Sequence, residues 1–279
     1  MTSNDHDPQT DVEGSPSSDA SEAPDEAGAP ARPSLEDATA RPQKRKGLPV
    51  WQESILLLVI AVGLAVVLKA FFVQAFYIPS ESMEPGLVKN DRILVQKVSY
   101  WTGSPQRGDV IVFKDPGDWL TAAEQAGPTS LLGRALTKIG LYPAGGHLVK
   151  RVIGVPGDTI HCCDKQGRLQ INGKSVDEQG YARVSPGSCY GPMISDCSTN
   201  AWTAGPVPPG HVFVMGDNRQ NSADSTVHLC QKGETDCVPG DEYVPDDLIV
   251  GKVFVLLWPL DRFTFVGRPD SLADVPAGK

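Results

Sequence analysis

Three short segments bring together residue types that can cleave an acyl bond. Pro79-Ser-Glu-Ser-Met-Glu-Pro85 offers two hydroxyls, Ser80 and Ser82. Leu148-Val-Lys-Arg-Val-Ile153 sets Lys150 in an apolar, β-branched run, and Gly216-Asp-Asn-Arg-Gln-Asn-Ser-Ala-Asp-Ser225 holds Ser222 beside Asp224 and Arg219. A serine hydroxyl is a weak nucleophile until a neighbouring base takes its proton. A lysine at its ordinary pKa of ~10.4 is protonated and cannot do so. Burial against apolar side chains disfavours the ammonium and lowers that value by up to several units. Alternation along a strand would place Lys150 on the face of Leu148 and Val152, with Val149 and Arg151 on the other. Each segment alone is a weak signal. Ser-x-Ser and Lys-Arg pairs are common on surfaces, Gly-Asp runs are common in turns, and a lone lysine is ordinarily solvated.

The sequence also holds residue types suited to other chemistries. His147 lies three residues before Lys150 and could serve a Ser/His mechanism. His161-Cys-Cys163 and His228-x-Cys230 with Cys237 contain zinc-ligand types, but no Cys-x₂₋₄-Cys spacing is present. Neither Gly-x-Gly-x-x-Gly nor a P-loop occurs. Hence no cofactor, metal or nucleotide is expected.

The elements that must position these groups read mainly as strands. Short apolar runs bordered by Gly, Pro and Asp begin at Arg92, Asp109, Leu148, Gly167, His211 and Lys252, which predicts a mainly antiparallel β domain. Over 129–140 the apolar residues recur at helical spacing instead. That helix lies within 115–147, which could pack on the body or lie on a lipid surface.

The 279 residues carry a net charge of −9, and it is placed unevenly. Ten carboxylates and one cation fall in the first forty residues, leaving the remainder balanced. The acidity therefore belongs to a tail, and a neutral body without a basic face argues against a nucleic-acid binder. Residues 1–46 are too poor in large apolar side chains to offset their ordering entropy and are predicted to be disordered. They end in Arg41, Lys44, Arg45 and Lys46, followed by fourteen uncharged residues, 55–68. Fourteen residues make ~21 Å of helix against a ~30 Å hydrocarbon core. With Trp51 at one interface and Lys69 snorkelling at the other, 51–71 is predicted to span the membrane. The basic cluster places the tail in the cytoplasm and 72–279 outside. All six cysteines lie beyond residue 160, consistent with an oxidising compartment. The simplest pairings are Cys189 with Cys197 and Cys230 with Cys237, with Cys162 and Cys163 left open and 161–210 read as a disulfide-bearing subdomain.

Two further blocks, Arg107-Gly-Asp-Val-Ile-Val-Phe-Lys114 and Val149-Lys-Arg-Val-Ile-Gly-Val-Pro-Gly-Asp158, complete an ordered series that ends in Gly251-Lys-Val-Phe254 and Trp258-Pro-Leu260. In that order, behind the apolar anchor, the chain resembles bacterial type I signal peptidases (leader peptidases), which use a Ser/Lys dyad. The resemblance implies a mainly β, membrane-anchored serine endopeptidase that removes signal peptides from exported preproteins after a small-x-small motif, near the secretion translocon. It implies Ser82 as nucleophile and Lys150 as general base. Ser80 would complete the oxyanion hole, Ser222 would orient the lysine, and Asp224 and Arg219 would support the site. The implied substrate pockets are lined by Phe76, Ile78, Met83, Leu87, Ile93 and Val149. The chain departs from the pattern at Thr226, where arginine is common, at Glu81, where glycine is common, and in the 115–147 insertion. Two rivals stand beside this reading. One is a Ser/Lys peptidase that processes itself or a dedicated partner, against which the span and the lack of a DNA-binding segment speak. The other is a catalytically silent membrane-anchored binding or scaffold protein, which the departures at Thr226 and Glu81 would suit.

Overall fold

The computed structural model describes residues 49–138, 145–184, 201–230, 235 and 237–278, with side chains at all of these but 67–71, 123, 136 and 138. The acidic tail and the Cys189 and Cys197 pairing therefore lie outside the described residues. The first element is helix α1 (Val50–Phe72). Leu, Ile, Val and Ala fill it without proline, and its apolar side chains at Ile55–Ile60, Val62, Leu64 and Val66 are exposed. No helix among the described residues is long and apolar enough to cross a membrane. The predicted span over 51–71 is thus met by a helix but not by a membrane-length apolar run.

Beyond Gln52 the chain is one compact unit, Glu53–Lys279. Its strands are β1 (Val73–Tyr77), β2 (Arg92–Gln96), β3 (Val110–Lys114), β4 (His147–Gly154), β5 (Ile160–Cys162), β6 (Gln170–Ile171), β7 (Lys174–Ser175), β8 (Trp202–Ala204), β9 (His211–Met215), β10 (Val244–Pro245), β11 (Ile249–Trp258) and β12 (Thr264–Phe265). The main sheet runs β1-β2-β11-β3-β4-β9-β10, with β12 also on β11. A smaller sheet runs β7-β6-β5-β8. Every strand pairing is antiparallel.

β3 and β4 form the centre of the main sheet. Val110 to Phe113 are all buried, because the sheet is covered on both faces at this point. Val110 and Val112 join Phe76, Ile78, Met83, Leu87, Ile93 and Val95 in one cluster. Ile111 and Phe113 join Leu148, Val152 and Val214 in another. Each such branched side chain stabilises the fold by about 1.5–3 kcal/mol when fully buried. Val149 packs against the first cluster and Leu148 and Val152 into the second, as strand alternation requires. The register sets Lys150 opposite Ile111 and Arg151 opposite Val110.

The insertion packs on the body through its first part. Asp115 accepts from the backbone N–H groups of Gly117, Trp119 and Leu120. Trp119 is buried edge-on against Phe113 and stacked on His228 at 4.4 Å, and its indole N–H donates to the Asp241 carbonyl. Helices α2 (Ala122–Gln125) and α3 (Leu131–Lys138) follow. Leu131 and Leu132 of α3 are 84% and 70% exposed, so they are not core residues. Cys230 is joined to Cys237, and Cys162 to its neighbour Cys163.

Candidate active site

The loop after β1 carries the paired serines, and Ser82 Oγ stands 3.2 Å from Ser80 Oγ. Ser82 is buried and Ser80 exposed. The Ser82 carbonyl accepts from the backbone N–H of Asn218 at 3.0 Å, and the Asn218 side-chain amide donates to the Glu81 carbonyl at 3.2 Å. Two segments far apart in sequence are thereby tied at the backbone. Gly216 makes that approach possible. A Cβ there would fall inside contact with Ser222 Oγ and 2.5 Å from the Ser82 carbonyl oxygen.

Lys150 is 4% exposed and donates from Nζ to Ser222 Oγ at 2.9 Å. Ser222 donates in turn to Asp224 Oδ2 at 2.6 Å, which also accepts from the Gly216 N–H. Asp224 Oδ1 accepts from the backbone N–H and the hydroxyl of Thr226, at 3.1 and 2.7 Å. Thr226 thus supplies two hydrogen bonds where an arginine would supply charge. Burial pushes the Lys150 ammonium down to about 8, against the pull of Asp224 and then Asp217 in the other direction. Glu81 is exposed and is not among the charges acting on it. No direct hydrogen bond joins Lys150 Nζ to Ser82 Oγ among the described residues; the lysine is held by Ser222 and the serine meets Ser80.

Ser80, Ser82 and Lys150 open on one cavity of about 880 Å³. Of the six predicted pocket residues, Phe76, Ile78, Met83 and Val149 line it. Leu87 and Ile93 do not. They lie in the core cluster beneath, because a pocket wall and a core face have the same apolar signature in sequence. His147 lines the cavity with Nδ1 against the Gly145 carbonyl at 3.0 Å.

Arg219 is fully buried. It pairs with Glu178 at 2.5 Å, donates to the Gly216 carbonyl and lies over the Tyr181 ring. Arg151 forks onto Asp217 at 2.8 and 2.6 Å, donates to the Gly108 carbonyl and faces the same ring at 4.9 Å. Glu178, Tyr181, Arg151 and Asp217 were not anticipated as site support. Arg151 and Asp217 stand within the motif blocks and could have been paired from their positions. Glu178 and Tyr181 carry no such signal.

A buried serine beside a second hydroxyl, with a buried lysine of depressed pKa in the same cavity, is an arrangement capable of Ser/Lys hydrolysis. The family model "Signal peptidase, peptidase S26" matches residues 51–258, and the chain belongs to that family. It is similar to a signal peptidase I of Mycobacterium tuberculosis (strain CDC 1551 / Oshkosh), with 40% identity over 81% of this chain and 78% of that protein. A probable signal peptidase I of Mycobacterium leprae (strain TN) is 38% identical over 83% of each chain. A crystal structure of a signal peptidase I from Enterococcus faecalis V583 aligns with 54% of this chain and 97% of that one, at 26% identity and a TM-score of 0.31. The protein is therefore an enzyme, a serine peptidase of the signal peptidase I type.

Proposed function

We infer that this enzyme removes signal peptides from exported preproteins through a Ser82/Lys150 dyad. The observation that carries the reading is Lys150, buried and held by Ser222 and Asp224 in the cavity that also admits Ser82. Neutral Lys150 takes the Ser82 proton as Oγ attacks the scissile carbonyl carbon. The resulting oxyanion is met by the Ser82 N–H and the Ser80 hydroxyl. The tetrahedral species collapses, the C–N bond breaks, and the lysine returns its proton to the departing amine. Water, deprotonated by the same lysine, then hydrolyses the acyl-enzyme. Phe76, Ile78, Met83 and Val149 form the shallow walls that accept small side chains in a small-x-small motif. Asp224 and Arg219 act by support, one through Ser222 and the other through Gly216.

The same reading places α1 in the membrane, with the basic cluster of 41–46 on the cytoplasmic side and the catalytic unit outside. Its support is the exposed apolar surface of α1 and the paired cysteines of the catalytic unit. Protease added outside intact cells is then expected to digest the catalytic unit and spare the tail. Turnover of a fluorogenic peptide whose signal segment ends in Ala-x-Ala tests the chemistry. Wild type should cleave it, and Ser82→Ala and Lys150→Arg should not. Cleavage by Ser82→Ala would refute the dyad.

A further inference from the structure

The far wall of the catalytic cavity is built by the insertion. Trp119, Leu120, Thr121 and Glu124 line it together with the serine loop and β4. This wall is fixed rather than draped. Asp115 gathers the N–H groups of its first turn and accepts from the Gln125 side chain at 3.0 Å, while Trp119 is wedged between Phe113 and His228. The insertion closes on itself where Gly145 passes Gln125 and Gly127. A Cβ at 145 would stand 2.6 Å from the Gln125 carbonyl oxygen and the Gly127 nitrogen.

One charge on that wall is held in place. Thr121 donates to Glu124 Oε2 from both its backbone N–H, at 3.0 Å, and its hydroxyl, at 2.7 Å. These bonds hold the Glu124 carboxyl below its ordinary range, so it is ionised wherever Lys150 is neutral. Among the described residues the other exposed charges lining the cavity are Glu81 and Lys89, so this part of the surface around the buried lysine has an acidic balance. Glu81 stands between the two serines, on the segment that carries both hydroxyls. Glu124 is set apart from them.

We propose that residues 115–130 of the insertion form a specificity wall of the catalytic cleft, and that Glu124 selects a basic side chain on the substrate close to the scissile bond. This rests on the peptidase reading above and names a substrate feature which that reading leaves open. An exposed ion pair is worth at most about a factor of five at ordinary ionic strength, so the preference is graded rather than absolute. It weakens further as salt rises.

The test is a peptide series carrying one lysine or one norleucine at successive positions on either side of the cleavage point. It is read two ways on the full chain: kcat/KM with the wild type and Glu124→Gln, and Kd with the same two proteins each also carrying Ser82→Ala. Gln keeps the acceptor for Thr121, so the wall retains its shape. At one position the wild type should favour lysine about three- to fivefold in both readouts. The ratio should fall to about one in Glu124→Gln and invert in Glu124→Lys. A lysine preference that survives Glu124→Gln, or no preference at any position, overturns the proposal even where cleavage is efficient. A Glu124-dependent difference in Kd without turnover would instead sustain the wall and refute the peptidase mechanism.

Discussion

The carbonyl oxygen of Ser82 accepts the backbone N–H of Asn218 at 3.0 Å, so the residue proposed as nucleophile is fastened through its main chain to the loop that holds the lysine's partner. Gly216 lies at the crossing, with no room for a side chain between Ser222 and the Ser82 carbonyl. Gly216→Ala is therefore expected to reduce kcat by at least two orders of magnitude, and overpacking should cost about 1–3 kcal/mol of stability. Rate and thermal unfolding measured on one preparation decide it. Near-normal turnover would mean that the two loops can part without consequence.

Activity should rise with pH through the titration of Lys150. With its pKa at about 8, the neutral fraction is small at pH 6.5 and dominant at pH 9. The acidic limb of kcat/KM is expected near pH 8, and a limb near the ordinary value for an exposed lysine would contradict the buried site.

That same lysine should make the protein less stable than it could be. Its folded pKa is depressed, so between about pH 8 and 10.5 the unfolded chain binds the extra proton and stability climbs with pH. Below pH 8 the full cost is present. Lys150→Met should consequently be inactive yet more stable at pH 7, by an amount on the order of 3 kcal/mol that fades toward pH 10.5. Chemical denaturation at pH 7 and pH 10 tests the sign.

Thr226 holds Asp224 with its hydroxyl at 2.7 Å. Thr226→Val keeps the shape and removes one bond of roughly 1.5–3 kcal/mol to a charged acceptor. Asp224 then presents more of its charge to Ser222 and Lys150, so the acidic limb should move to higher pH, with Thr226→Ser restoring it. A uniform loss at every pH would assign Thr226 a packing role only.

Ser80→Ala should retain the nucleophile and lose on the order of 10²–10³ in kcat, as for one oxyanion donor. An unchanged rate would leave the Ser82 N–H as the sole donor from this loop.

The strands that cross the core were legible in sequence. β2 and β9 coincide with the apolar runs at Arg92 and His211, since Gly, Pro and Asp borders mark where a buried strand must stop. β1 was hidden, because its Val-Gln-Ala-Phe-Tyr continues the apolar helix without a break. Lys150, Ser222 and Asp224 could be named together from their motif blocks, and they do meet in space. The pocket was only partly legible, because burial alone cannot tell Ile93 from Ile78. Glu178 and Tyr181 were illegible for another reason. They reach Arg219 from a segment about forty residues away, and only the folded path of the chain brings them there.

β4 offers neighbouring cations to different anchors, Lys150 to Ser222 and Arg151 to Asp217. A purely apolar strand in that place would tolerate sliding by a residue pair with modest loss. Here a slide would strand two buried cations at once, each at a cost of several kcal/mol. The strand can be threaded in one way only. The groups assigned to hydrolysis therefore also serve as an alignment key, and variants that neutralise both are expected to risk mispairing during folding before any question of catalysis arises.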